Sequence, residues 1–162
     1  MKLSVWSSYY YDLSPEDALR EFKAHGFDCC EISFEHACVL MERGDIKTEG
    51  AEFGKFAREL GVDISQGHLS YEAKLCLDEG KEFLKKQIDL FLAMGVKNAV
   101  LHCDSLAWKN SEGVLREEQV LENTKALSEL LDYVKGTDMV ICLENLISTE
   151  FVNNVDGLLY FI

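Results

Sequence analysis

The sequence predicts an α/β fold with a parallel sheet. Four amphipathic segments end alike, at Ala24-His25-Gly26-Phe27, Glu59-Leu60-Gly61-Val62, Ala93-Met94-Gly95-Val96 and Val134-Lys135-Gly136-Thr137, with their glycines 35, 34 and 41 residues apart. Each interval has room for a helix, a strand and two loops. An apolar run follows every glycine, so strands alternate with helices, the pattern of right-handed βαβ units. Two windings accept five such units: part of a (β/α)₈ barrel, or an open five-stranded doubly wound sheet. Polar, chemically capable residues at the ends of several strands favour the barrel. The open sheet calls for a phosphate loop or an acidic cluster after its first strands, and Ser7-Ser8-Tyr9-Tyr10-Tyr11-Asp12 is neither.

Each element has its own signal. The first strand is expected over Leu3–Trp6. Ser14 then caps a helix with Pro15 at its first position, and Ala18, Leu19 and Phe22 share a face. A strand follows over Asp28–Ser33. Thr48 is placed to cap the second helix, whose stripe is Phe53, Phe56, Ala57 and Leu60. The third strand spans Val62–Gly67, and the third helix carries Phe83, Leu84, Ile88, Phe91 and Leu92. Asn98–His102 is the fourth strand. Val120, Leu121, Leu127, Leu131 and Val134 mark the fourth helix, and Met139–Leu143 the fifth strand. Intervals of three and four residues are the helical period. The repeated glycines suit the left-handed residue just past a helix, where a Cβ would clash. Asn153 or Asn154 starts a last helix that runs through Gly157–Ile162.

Composition narrows the functional classes. A chain of 162 residues, 48% hydrophobic and 28% charged, reads as one globular domain over 1–162. No apolar stretch approaches the ~20 residues of a membrane span. The first residues lack the apolar region of a secretory signal, so a cytoplasmic protein is expected. The six cysteines, at 29, 30, 38, 76, 103 and 142, form no C-x-x-C and read as reduced, mostly buried thiols. A net charge of −13 without a basic stripe argues against a nucleic-acid partner.

His68 and His102 each lie seven residues past a repeat glycine, Glu144 lies eight past Gly136, and Glu31 five past Gly26. Equal offsets place the two histidines at equivalent heights, and strand alternation gives each a defined face. In a barrel those faces lead to the catalytic rim. A lone strand-end histidine is commonly structural; two in register point to function. Glu144 follows Met139-Val140-Ile141-Cys142-Leu143, where a carboxylate is costly unless paired or metal-bound. Glu31 has a second reading, as a partner for a neighbouring strand. Tyr71 and Trp108 follow strands three and four and offer an apolar wall or a cover for the mouth. His25 suits a helix C-terminus, His36 falls in a loop, and Tyr9–Tyr11 read as a lid or as packing. There is no G-x-S-x-G, P-loop or G-x-G-x-x-G.

The strand ends resemble those of the xylose isomerase-like barrel superfamily, especially its sugar phosphate isomerase/epimerase members. The matching pieces are Gly26-Phe27-Asp28-Cys29-Cys30-Glu31-Ile32, Gly67-His68-Leu69-Ser70-Tyr71, Leu101-His102-Cys103 and Leu143-Glu144-Asn145-Leu146. They cover essentially the whole chain in order, and Glu144-Asn145 is the most specific. The resemblance implies a divalent metal, Mn²⁺, Mg²⁺, Co²⁺ or Zn²⁺, ligated by Glu144, which also lies beside the carbon that exchanges its proton. It puts His68 and His102 near the substrate, a small sugar or sugar phosphate; Glu31 joins them as a candidate contact. In the related endonuclease IV branch, histidines on these strands are zinc ligands.

The family's remaining metal ligands, an Asp, a His and a second Glu, come from strands six to eight. The expectation is therefore a partial barrel of about the first five βα units, with a half-barrel closing as a homodimer as the alternative. Three functions follow. The first is metal-dependent proton transfer next to a sugar carbonyl, with Glu144 as metal ligand and acid/base. The second is an endonuclease IV-like zinc phosphodiesterase, which the charge of −13 opposes. The third is a non-catalytic barrel fragment.

Overall fold

The five apolar runs pair in parallel as β1 (Val5–Trp6), β2 (Cys29–Ile32), β3 (Asp63–His68), β4 (Asn98–Leu101) and β5 (Val140–Leu143). The structure, a computed structural model, describes residues 2–106, 116–146, 152, 154–159 and 161. The helices are α1 (Pro15–Ala24), α2 (Phe34–Met41), α3 (Ile46–Leu60), α4 (Asp78–Met94), α5 (Arg116–Val134) and α6 (Val155–Leu158), with a 3₁₀ turn at Ser7–Tyr10.

The strands lie in the order β1-β2-β3-β4-β5. Every crossover therefore moves one strand in the same direction. A doubly wound sheet reverses its strand order at a switch point; this one does not. That excludes the open doubly wound alternative and leaves the barrel winding. One layer runs across the sheet through Trp6, Glu31, Gln66, Asn98 and Val140, which are partners in the register. The strands present their other face to the helices. There Cys30, Ile32, Ile64, Ala99 and Leu101 are buried with Leu19, Phe22, Phe53, Leu84, Ile88 and Phe91.

The repeat signals hold at the level of the backbone. Gly26, Gly61, Gly95 and Gly136 all have positive φ, between 74° and 98°. The Ser14 side chain accepts the N–H of Asp17 at the start of α1, and Asn154 caps α6. Asn153 and Ile162 lie outside the described residues.

Three local expectations are corrected. Asp45, not Thr48, caps α3: its carboxylate accepts both the N–H and the hydroxyl of Thr48. A carboxylate takes two donors at a helix start and also suits the N-terminal dipole. The segment around His36 is helical. Ser33 caps it, and Phe34, Ala37 and Leu40 form its buried face. On α5 the buried face is Asn123, Ala126, Leu127, Leu130 and Val134, while Leu121 and Leu131 are about half exposed. The face that touches the sheet includes a polar residue, Asn123, which a purely apolar stripe passes over. No helix among the described residues is long and apolar enough to cross a membrane.

Candidate metal and substrate site

Register determines which strand-end groups meet. Leu101 pairs with Leu143, and Glu144 N–H donates to Leu101 O at 3.0 Å. The next residues, His102 and Glu144, are thereby held side by side. His68 pairs with Val100, so His102 stands two residues beyond His68's partner. The equal heights expected from the repeat do not hold, because parallel strands in a barrel are staggered. The stagger brings the two imidazoles together edge to face, with ring centroids 4.8 Å apart.

Both rings turn Nε2 towards one oxygen. His102 Nε2 lies 2.9 Å and His68 Nε2 3.4 Å from Glu144 Oε2. One donor atom from each of His68, His102 and Glu144 lies within 4.8 Å of the others. The histidines are sheltered and the carboxylate is about half exposed. The hydrogen bond from His102 holds the Glu144 carboxyl below its ordinary range; partial burial opposes this, and the charges of His102 and His68 add to it.

The donor set accommodates a cation. His68 Nδ1 lies 2.8 Å from Leu69 O, and a carbonyl can only accept, so Nδ1 carries a proton. A neutral His68 then presents the Nε2 lone pair to a carboxylate oxygen, which is repulsive. Either a proton on Nε2 or a metal ion between the groups relieves it. His102 Nδ1 is buried without a hydrogen-bond partner among the described residues. Two imidazole nitrogens and a carboxylate oxygen form a familiar ligand set for Zn²⁺ and other divalent transition metals.

A cavity of about 390 Å³ opens beside these groups, lined by Trp6, His68, Tyr71, Lys74, His102 and Asp104 among others. Trp6 lies against His68, with ring centroids 6.3 Å apart. Tyr71 stacks over His102 at 6.5 Å and meets Phe34 edge on. It thus lines the cavity; Trp108 lies outside the described residues. Glu31 accepts from Gln66 Nε2 at 2.7 Å, a pairing with the neighbouring strand. Sequence reasoning passed over Trp6, Lys74 and Asp104. Asp104 carried a usable signal, since it and Ser70 both stand two residues past a strand-end histidine.

A model of the xylose isomerase-like TIM barrel family matches residues 19–162. The chain belongs to the xylose isomerase-like TIM barrel family. Among solved structures it is similar to the 3-keto-D-glucoside 4-epimerase of E. coli, with a TM-score of 0.76 and 15% identity over 99% of this chain and 63% of that one. It is also similar to the D-psicose 3-epimerase of Clostridium cellulolyticum H10, solved with D-tagatose, at TM-score 0.73 and 15% identity over 99% of this chain and 60% of that one. A D-allulose 3-epimerase from Methylomonas sp. gives TM-score 0.72 and 18% identity over 99% and 58% of the two chains. At these identities the likeness shows the fold. The chain spans about 60% of the length of these epimerases. None of the curated proteins matches it.

Proposed function

We propose that this chain carries the fifth-strand part of a divalent-metal centre for sugar isomerisation or epimerisation. The convergence of His68, His102 and Glu144 on one point at the strand ends of a xylose isomerase-like barrel carries the reading. The similarity to solved sugar epimerases supports it. Glu144 is the metal ligand, and the two histidines lie close enough to share the ion with it. A divalent cation held there supplies charge to polarise neighbouring sugar oxygens.

The chain's own residues do the rest. Glu144 is kept ionised by His102, so its carboxylate would hold the cation and would accept a proton from the carbon next to a carbonyl. His68 and His102 line the cavity that takes the sugar, with Trp6 and Tyr71 as its apolar walls. Glu31 is held by Gln66 one layer down and contributes negative charge beneath the cavity. Nitrogen donors favour Zn²⁺, Co²⁺ or Mn²⁺ over Mg²⁺. The further ligands of a complete centre are proposed to come from later βα units or, in a homodimer, from a second copy.

Calorimetric titration with Mn²⁺ and Zn²⁺, beside an epimerase assay over several ketoses and their phosphates, tests the reading. A saturable site lost in Glu144→Gln is expected, with weak affinity and no turnover by the monomer. Absence of a site, or a site indifferent to Glu144→Gln, would overturn the proposal. Activity in a dimer that disappears in Glu144→Gln would assign the remaining ligands to the second copy.

A further inference from the structure

Two buried amides sit among the apolar faces of the helices behind the site. Gln87 on α4 and Asn123 on α5 are both 0% exposed. A helix face packed on a sheet has no use for a polar side chain unless something there needs a partner. Each amide reaches the same place in its repeat. Gln87 Oε1 accepts the backbone N–H of Ser70 at 2.9 Å, and Asn123 Oδ1 accepts that of Asp104 at 2.7 Å. Ser70 and Asp104 each stand two residues past a strand-end histidine. Asn123 also donates from Nδ2 to Asp104 O and Gln119 O, both at 2.8 Å. The turn after each histidine is thus pinned from behind by the helix that follows it.

At the first of these turns the bond reaches the histidine itself. The Ser70 N–H and the Leu69 carbonyl belong to one planar peptide group. Gln87 grips that plane by its N–H edge, while His68 Nδ1–H donates to its carbonyl edge at 2.8 Å. The orientation of the Leu69–Ser70 peptide therefore decides which His68 nitrogen carries the proton. With Nδ1 protonated, Nε2 is the free donor atom that faces Glu144.

We infer that Gln87 is a positioning residue for His68, acting through the Leu69–Ser70 peptide to fix the imidazole tautomer that leaves Nε2 free towards Glu144. Its counterpart Asn123 holds the loop after His102. The relay is a property of the metal-free protein; its use in metal binding rests on the function proposed above.

Nitrogen-15 NMR of the His68 side chain, in the metal-free protein at a pH where imidazoles are neutral, tests the relay directly. The wild type is expected to show Nδ1 protonated and Nε2 bare. Gln87→Glu keeps the accepting oxygen and should keep that tautomer. Gln87→Met keeps the volume without the acceptor and should give the Nε2–H form or a mixture. A wild-type Nε2–H tautomer overturns the inference, as does a folded Gln87→Met with unchanged tautomer or identical behaviour of the Met and Glu variants. If Gln87→Met does not fold, the wild-type spectrum and Gln87→Glu still decide. Where Mn²⁺ binds, Gln87→Met should weaken it by about tenfold or more. Leu19→Ala, a core change on α1 away from the site, should not weaken it. A wild type that binds no metal, yet shows the relay, would count against the proposed function and not against Gln87.

Discussion

His102 donates from Nε2 to Glu144 Oε2 across 2.9 Å, joining the ends of two neighbouring strands from residues 42 apart in the chain. The bond follows from the register of Leu101 with Leu143, so it is built into the sheet and not into a loop. It makes Glu144 an acceptor that is costly to protonate. Its carboxyl is expected to titrate below the ordinary value of 4.5, with the hydrogen bond from His102 as the main cause. Carbon-13 NMR of the Glu144 carboxyl should show this midpoint, and His102→Ala should return it towards 4.5. A midpoint that stays put in His102→Ala would sink the assignment. The group's folded-state pKa is depressed. Its contribution to stability is therefore complete above the unfolded value and is lost as pH falls through the folded one.

Helices α3 and α4 approach so closely that a methyl group has no room between them. A Cβ on Gly54 would stand 2.2 Å from Met94 O, and one on Gly50 2.5 Å from Leu90 O. These contacts are with backbone, which cannot swing aside as a side chain would. Gly54→Ala adds helix propensity but must push the helices apart, a net loss of about 1–3 kcal/mol. Urea unfolding would measure it; a stabilised variant would show that the helices part freely.

Much of this arrangement was legible in the residues. Gly26, Gly61, Gly95 and Gly136 marked the unit boundaries because positive φ is a local demand that glycine answers locally. The offsets from those glycines found His68, His102 and Glu144. The offsets could not find the stagger, since register between strands is a non-local property, and so they set the histidines at one height. Helix α2 was missed because its buried residues, Phe34, Ala37 and Leu40, make only two turns. Gln87 and Asn123 were passed over for a different reason: their partners are backbone N–H groups of turns, and a backbone group leaves no mark in a sequence.

Arg43 reaches back to Glu16, its Nη1 and Nη2 donating to the two carboxylate oxygens at 2.6 and 2.9 Å. The pair ties the turn after α2 to the first turn of α1 and is partly shielded. The hydrogen bonds from Arg43 hold Glu16 below the ordinary 4.5. A depressed carboxylate stabilises the fold above its unfolded pKa, and the benefit is lost as pH falls through the folded value. Arg43→Ala should cost about 1 kcal/mol at pH 7 and less at pH 3. A double-mutant cycle with Glu16→Gln, run by urea unfolding at both pH values, would check the coupling. Equal coupling at the two would exclude an ionic contribution.

His36 is buried at 1% exposure and fully engaged as a neutral ring. Ser33 N–H donates to Ser7 Oγ at 2.8 Å, the Ser7 hydroxyl donates to His36 Nδ1 at 2.9 Å, and Nε2–H donates to Leu13 O at 3.3 Å. This chain of bonds fastens the turn after β1, which carries Trp6 into the cavity, to the start of α2. A second proton on Nδ1 would require the Ser7 hydroxyl to turn its hydrogen away and accept instead. Burial pushes the His36 pKa below its ordinary 6.5, against the pull of its hydrogen bonds and of the nearby carboxylates Glu35 and Glu16. The unfolded chain therefore takes up the proton first. Stability is full above about pH 6.5 and declines as pH falls from there to the folded pKa, below which this contribution is constant. Urea midpoints at pH 7 and pH 5 should differ in the wild type and differ less in His36→Gln, after the acid groups' own drift is subtracted. A wild-type slope that survives His36→Gln undiminished would place the acid sensitivity elsewhere.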